Sequence, residues 1–480
     1  MLKHLVLGLL LVVVGLRGAA AADDWRSLIT DDELNDWQGS GGGDIFRARS
    51  GTLTVDGAGQ IVFASDTKPV DLRDFELRAE VLTRPGGRAG LAFHLPSSNP
   101  RSSGGVEVRL DNSYSRGTGQ GLLKTGSLVW LRPVVKSAVP DGRWFSLHVT
   151  VRGRRVQVRV EKQLVVDYVQ PENVEEGPRL KQGTVGVRGH GGSGAVQIRN
   201  LQVRPLPTDK TAAAPLPKVK LDATDLRLGR LREQGFSVVD FHTRLTGGLT
   251  LDGVLGWTWR TGIGSGVTAR CGRGLDVSDD RSAAAFLETM RGRPVFVGLH
   301  AEGREWPGLL SPATVARFDY VLADAMTITT GGRRVRLWVK EEVDVSDPEK
   351  FTDLLVKATE AILDTEPIDI LASPTYLPGA IAKDHDRLWT PARLRRLVDA
   401  LKRNGAALEI NDRQRLPRPP LIKMAKEAGV KFAFGGDNAG RALGRLGYGL
   451  QMVEECALTP DDLWAPKPDG AKPVQTRKRK

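Results

Sequence analysis

Through the second half of this sequence, carboxylates, imidazoles and small polar side chains stand at the ends of short apolar runs. Asp240 and His242 close SVVDFH, and His300 with Glu302 follows PVFVGL. Asp324 ends YVLAD and Thr375 follows IDILASP. Glu409 with Asn411 and Asp412 ends AALEIND, and Asp437 with Asn438 ends KFAFGGDN. Gathered on one rim, these groups suit a divalent cation and the activation of a water for hydrolysis. His242, Asp324, Glu409 and Asp437 are the candidate metal ligands. His385, in AKDHDRLW, lies several residues past its strand among charges and is expected to be a solvated loop histidine. Trp257, Trp259 and Trp306 fall on helical stretches, where aromatic rings usually serve the core, and receive no role in a site.

One rim requires parallel strands, and the order of elements supplies them. From about residue 223, apolar runs alternate with helical stretches such as TLDGVLGWTWRTG, PEKFTDLLVKATEAIL and ARLRRLVDALKRNG. Strand and helix trading places in this way demands a parallel sheet with crossover helices, closed most economically into a barrel whose active site lies at the carboxyl ends of its strands.

The first half follows another period. FELRAEVL puts Phe75, Leu77, Ala79 and Val81 on one side, and Leu147, Val149 and Val151 alternate before a turn at Gly153. Val156, Val158 and Val160 alternate before a second turn at Lys162 and Gln163. Short alternating strands without a helical stripe predict two stacked antiparallel sheets. Between the halves, Pro205–Asp222 is rich in Pro and Ala and reads as a tether between independently folded units. The expected organisation is a leader over 1–22, a sandwich over 23–207, a linker over 208–222, a barrel over 223–462 and a basic disordered tail over 463–480.

Composition sets the limits. A chain of 480 residues, 40% hydrophobic and 26% charged, is a folded multidomain protein and no collagen, disordered or polytopic membrane chain. The formal charge is +12; setting aside Lys3, Arg17 and the four cations of Arg477–Lys480 leaves +6, too dilute to argue for nucleic acid. MLKH, the 12-residue apolar run Leu5–Leu16 and the small residues Ala19–Ala22 together form a secretory signal, with cleavage expected near Ala21 or Ala22. That run is shorter than the ~20 residues a membrane span needs, so a secreted or periplasmic protein without a transmembrane segment is expected, with an uncleaved anchor as the alternative. Only Cys271 and Cys456 occur, so disulfides do not hold this chain together.

Two resemblances add to this reading. DFHTRLTGGLT, TWRTGIGSGVTARCG, HAEGREW, DAMT, EINDRQRLP and GVKFAFGGDN resemble the PHP-like hydrolase branch of the PHP-type phosphoesterases over Phe236–Pro460. The resemblance implies a distorted TIM-type (β/α)7 barrel of the α/β class and a metal cluster that begins at a His-x-His pair. Here that pair reads His242, Thr243, Arg244. A guanidinium neither ligates nor deprotonates, so Arg244 favours an anion such as phosphate or carboxylate as the occupant over a metal.

In the first half, LITDDELNDWQG, DFELRAEV, GLAFH, GVEVRLDN, TGSLVWL, DGRWFSLHVTVRGRRVQVRVEKQLVVDY and TVGVRGHGGSGAVQIRNLQVRPL are similar, in that order, to the 3-keto-disaccharide hydrolase domain. That resemblance implies an all-β antiparallel jelly roll of the concanavalin or LamG kind, an exported carbohydrate hydrolase or lyase, and an oxidised disaccharide or glycoside as substrate. Glu107 and His190 match its Glu and His positions, and either is a candidate base; Asp111 is a further catalytic candidate and Arg109 a substrate-binding one. Gly189 precedes His190 where relatives carry an acid, so no neighbour in sequence orients the imidazole. A sandwich that binds glycan without cutting it, attached to a degenerate barrel, is the alternative.

Overall fold

The computed structural model describes residues 24–40, 44–67, 69–96, 104–113, 122–174, 178–207, 218–330 and 333–477. The expected leader and most of the expected linker lie outside the described residues.

Residues 24–207 form two antiparallel sheets and no α-helix among the described residues. One sheet runs in the order Trp37–Ser40, Ala58–Phe63, Thr184–Gly192, Gly87–Leu95, Val106–Leu110. The other is built around Phe145–Arg152, Phe75–Thr83 and Val196–Pro205 at its centre. Alternation buries Phe75, Leu77 and Val81 of one sheet against Leu91, Phe93, Val106 and Val108 of the other, so each strand keeps one face for the core and one for another use. The period is interrupted once with purpose. In Val196–Pro205 the register shifts between Arg199 and Gln202, with Asn200 at φ +50, so that Val196, Ile198, Leu201 and Val203 all reach the core. The second hairpin turn sits one residue earlier than expected: Val160 pairs with Gln163, which leaves Glu161, at φ +54, and Lys162 as the turn.

Residues 218–477 carry a closed barrel of seven parallel strands: Val239–Arg244, Gly264–Cys271, Phe296–Ala301, Tyr320–Ala323, Ile370–Leu371, Ala407–Asn411 and Phe432–Gly435. The strands are buried on both faces, as parallel strands covered by helices must be. Helices start where their sequences say they should. Thr250, Asp347 and Thr390 cap Leu251–Thr261, Pro348–Thr365 and Pro391–Asn404, and Gly262 and Gly405 end the first and last of these in the left-handed conformation.

Two expectations about the ends of the barrel are corrected. The segment after residue 462 is no free tail as far as Arg477. Trp464 donates its backbone N–H to Phe432 O (2.7 Å), and its ring lies 5.0 Å from Phe241 and 5.9 Å from Tyr320, closing the amino-terminal end of the barrel. Arg477 then binds Leu363 O (2.9 Å) and Glu366 O (3.1 Å). Nor do the sandwich and barrel behave as units on a tether. Leu122 and Val135 of the sandwich share the barrel's inner core with Phe241, Phe296 and Trp464. Arg132 reaches Arg260 O (3.0 Å), and Trp259 Nε1 donates to Val165 O (2.8 Å). Trp259 thus joins the two units, while Trp257 and Trp306 serve the barrel core. Apolar side chains from both halves bury one another, which a Pro-rich composition in the connecting segment cannot reveal. Among the described residues no helix is long and apolar enough to cross a membrane.

Candidate functional site

The outer face of the five-stranded sheet brings Glu107 and His190 together. Across its strands Arg109 stands opposite Gly90, Gly90 opposite Arg188, and Arg188 opposite Gln60. Glu107 faces Ala92, one step along the same face. With no side chain on Gly90, the Glu107 carboxylate lies across the Gly87–Leu95 strand to the far one. There its Oε1 accepts from His190 Nε2 at 2.8 Å, and its Oε2 from Arg188 at 3.3 Å. A guanidinium nitrogen of Arg109 is 3.6 Å from Oε1. His190 lies in strand Thr184–Gly192, still paired with Ala58 on one side, while the register with Gly87–Leu95 on the other breaks between Gly189 and Gly192. The acid that orients His190 therefore comes from two strands away, where no inspection of the His190 neighbourhood in sequence would find it.

Burial works against the Glu107 carboxylate, yet the hydrogen bond from His190 and the charges of Arg109 and Arg188 outweigh it and hold its pKa below the usual range. An ionised Glu107 only accepts, so the proton between the two side chains sits on His190 Nε2 and the lone pair on Nδ1. Side-chain exposure is 29% for His190 and 5% for Glu107: the carboxylate is the buried support and the imidazole the group that meets solvent. Arg188 is itself fixed by Gln60 Oε1 (2.5 Å) and Gly104 O (2.7 Å).

Asp111, expected as a third catalytic group, is employed otherwise. Its carboxylate receives Lys124 Nζ at 3.3 Å and the Ser113 N–H at 3.0 Å, with no hydrogen bond to Glu107 or His190. Burial raises the Asp111 pKa against the pull of Lys124, and burial lowers that of Lys124.

The rim of the barrel carries a second cluster. His242 Nδ1 donates to Glu409 Oε1 (2.7 Å), His300 Nε2 donates to Asp324 Oδ2 (2.9 Å), and the two inner nitrogens face each other at 3.3 Å. Glu409 is fixed further by Ser373 N (2.6 Å) and Asn411 Nδ2 (3.0 Å). Burial opposes a charge on His242, but Glu409 and Asp437 more than offset it and bring its pKa up to about 9. The four expected metal ligands gather around the His242–His300 pair, with Asp437 3.8 Å from His242, but they do not point at one common centre. Glu409 and Asp324 sit behind the imidazoles, and Asp437 holds the guanidinium of Arg244. Among the described residues no group of three or more His, Cys, Asp or Glu side chains is placed to hold a metal ion. A fixed cation bonded to Asp437 does not fit a metal at that carboxylate. Asp240, also expected at the rim, turns inward to accept from His242 N (2.9 Å) and Gly436 N (2.8 Å). His385 is buried, not solvated, with Nε2 at 3.2 Å from Thr375 Oγ1. Short polar strings around strand ends mark a rim, but which carboxylate lies in front of an imidazole and which behind depends on barrel geometry that spacing does not carry.

Comparison with solved structures finds a candidate glycosyl hydrolase from Parabacteroides distasonis, 16% identical, with 38% of this chain and 99% of that one covered and a TM-score of 0.31. A carbohydrate-binding module from Bacillus subtilis is 13% identical over 35% of this chain and 93% of that one, with a TM-score of 0.24. No curated protein matches the chain. Residues 24–204, the span that holds Glu107, Arg109, Arg188 and His190, match the family model of the 3-keto-alpha-glucoside-1,2-lyase-like domain.

Proposed function

We propose that the sandwich cleaves glycosides whose sugar carries a ketone at carbon 3. The ketone acidifies the hydrogen on carbon 2. His190 Nδ1 takes that proton, and the electron pair of the C–H bond passes to the carbonyl oxygen as an enolate. Collapse of the enolate expels the group on carbon 1, which takes the proton back from the His190 imidazolium as it leaves, and water then adds across the resulting enone, its oxygen to carbon 1 and a proton to carbon 2. Glu107 holds the imidazole in the tautomer that presents Nδ1 and stabilises the imidazolium as it forms. The guanidinium groups of Arg109 and Arg188 supply positive charge on the same face, where the enolate develops.

The observation that carries this reading is the 2.8 Å pair of Glu107 and His190 on the open face of the domain matched by the family model. The test incubates the full-length protein with a 3-keto disaccharide in deuterated water and follows aglycone release and exchange at carbon 2. The expected result is release by the wild type, with a loss of at least about 100-fold in His190→Ala. Binding without release or exchange would make the sandwich a glycan-binding module, and release that survives His190→Ala would remove the imidazole from the mechanism.

The proposal extends to location and to the barrel. The basic, apolar and small-residue order of residues 1–22 supports export, and an intact mass that includes Met1 would refute it. The strings that line the barrel rim support a PHP-like ancestry, with Arg244 in place of the second histidine.

A further inference from the structure

The barrel rim opens into a cavity of about 510 Å³ at the carboxyl ends of the strands, away from the end that Trp464 closes. Its volume lies in the range of sites that enclose a small organic ligand. Three features of its wall define what that ligand is.

Its charges balance. Arg244, Arg270 and Arg413 line it against Glu302, Asp324 and Asp437, three of each sign, and His242, also in the wall, is paired with Glu409 behind it (2.7 Å). Most are already matched to a partner: Arg244 to Asp437, Arg270 to Asp276 (3.0 Å) and Asp324 to His300 (2.9 Å). An anion entering here meets carboxylates, and a cation meets the guanidinium of Arg244, so either would disrupt pairs already made. A neutral ligand rich in hydroxyl groups disturbs none of them, because a paired carboxylate keeps free lone pairs and a paired guanidinium keeps free N–H groups.

Hydrogen-bonding capacity is also left open. Arg244 Nε and Thr327 Oγ1 are buried without a hydrogen-bond partner, and both residues line the cavity. Buried polar atoms in this state are rare in folded proteins.

Finally, the wall includes Trp338, 49% exposed and one of the few large apolar side chains so placed among the described residues. A half-exposed indole beside paired charges offers a flat apolar surface with polar groups around it. The C–H faces and hydroxyl edges of a pyranose ring have that same division.

We propose that this cavity is a second carbohydrate site, which takes a neutral mono- or disaccharide. It is separate from the Glu107–His190 face and stands whether or not that face is catalytic.

The test is calorimetric titration of the full-length protein with glucose, sucrose, trehalose and cellobiose, in the wild type, Trp338→Ala, Arg413→Ala and His190→Ala. Inorganic phosphate and zinc are titrated separately. Trp338 and Arg413 are both about half exposed, so their variants are expected to keep the wild-type melting temperature. The expected result is that at least one saccharide binds, that Trp338→Ala weakens it at least tenfold, and that His190→Ala leaves it unchanged. Saccharide binding insensitive to Trp338→Ala, or no saccharide binding at all, overturns the proposal. Phosphate binding that is lost in Arg413→Ala, or stoichiometric zinc binding, in place of any saccharide binding, overturns it in favour of an ion site.

Discussion

Gly90 lies directly beneath the carboxylate of Glu107: a Cβ at Gly90 would stand 2.3 Å from Glu107 Oε1 and 2.6 Å from its Cδ. That absence of a side chain lets a residue on Val106–Leu110 support a histidine two strands away. Gly90→Ala is therefore expected to push the carboxylate off His190 while the sheet keeps its core, since the position faces away from it. Glycoside cleavage should fall at least about tenfold with little change in unfolding midpoint. Activity equal to wild type would show that the Glu107–His190 bond is dispensable.

Asp111 separates structure from chemistry. The pair with Lys124 is buried, so removing only the cation leaves an uncompensated carboxylate, and Lys124→Met is expected to destabilise the sandwich by roughly 3–5 kcal/mol. Asp111→Asn keeps an acceptor for Ser113 and is expected to retain cleavage activity. Loss of activity in Asp111→Asn at unchanged stability would return Asp111 to the site. Denaturant titration and aglycone release measure the two quantities on the same samples.

Much of this arrangement is legible in the sequence because it follows from period. Alternation at Phe75–Val81 and at Leu147–Val160 specifies sheets with one buried face, and strand–helix alternation after residue 223 specifies a parallel barrel with a polar rim. What escapes is whatever depends on residues distant in sequence meeting in space. Glu107 and His190 are 83 positions apart and meet only because a glycine intervenes on the strand between them. Charge and composition are also silent on packing between domains. Pro205–Asp222 reads as a tether although Arg132 and Trp259 lock its two sides together, and the segment after residue 462 reads as a tail although one tryptophan makes it the floor of the barrel.

Trp464 tests that floor. Its ring packs on Phe241 and Tyr320 at the amino-terminal end of the barrel. Trp464→Ala is expected to open a cavity there and cost about 3–5 kcal/mol. Because Leu122 and Val135 share the same core, the loss should appear in the unfolding of both halves at once. An unfolding curve in which the sandwich transition does not move would mean that the shared core is energetically minor.

Asp369 gives a pH dependence of stability with a definite sign. It is fully buried where the strand Ile370–Leu371 begins. Its Oδ2 accepts from Val321 N (3.0 Å), and its Oδ1 has no hydrogen-bond partner. Burial pushes its pKa up to about 6, despite the nearby charges of Lys467, Lys472 and Arg477. The folded state therefore holds a proton between the unfolded value near ~3.9 and about 6, and in that window stability falls as pH rises. Above it the cost is complete, on the order of 2–3 kcal/mol. Asn in place of Asp carries no charge to bury, so Asp369→Asn is expected to raise stability by about that amount at pH 7.5 and to change it little at pH 4. Urea unfolding of both proteins at the two pH values is the measurement. A gain of equal size at both would attribute the effect to the new amide hydrogen bond, and a loss at pH 7.5 would show that the carboxylate is ionised and held by its three cations.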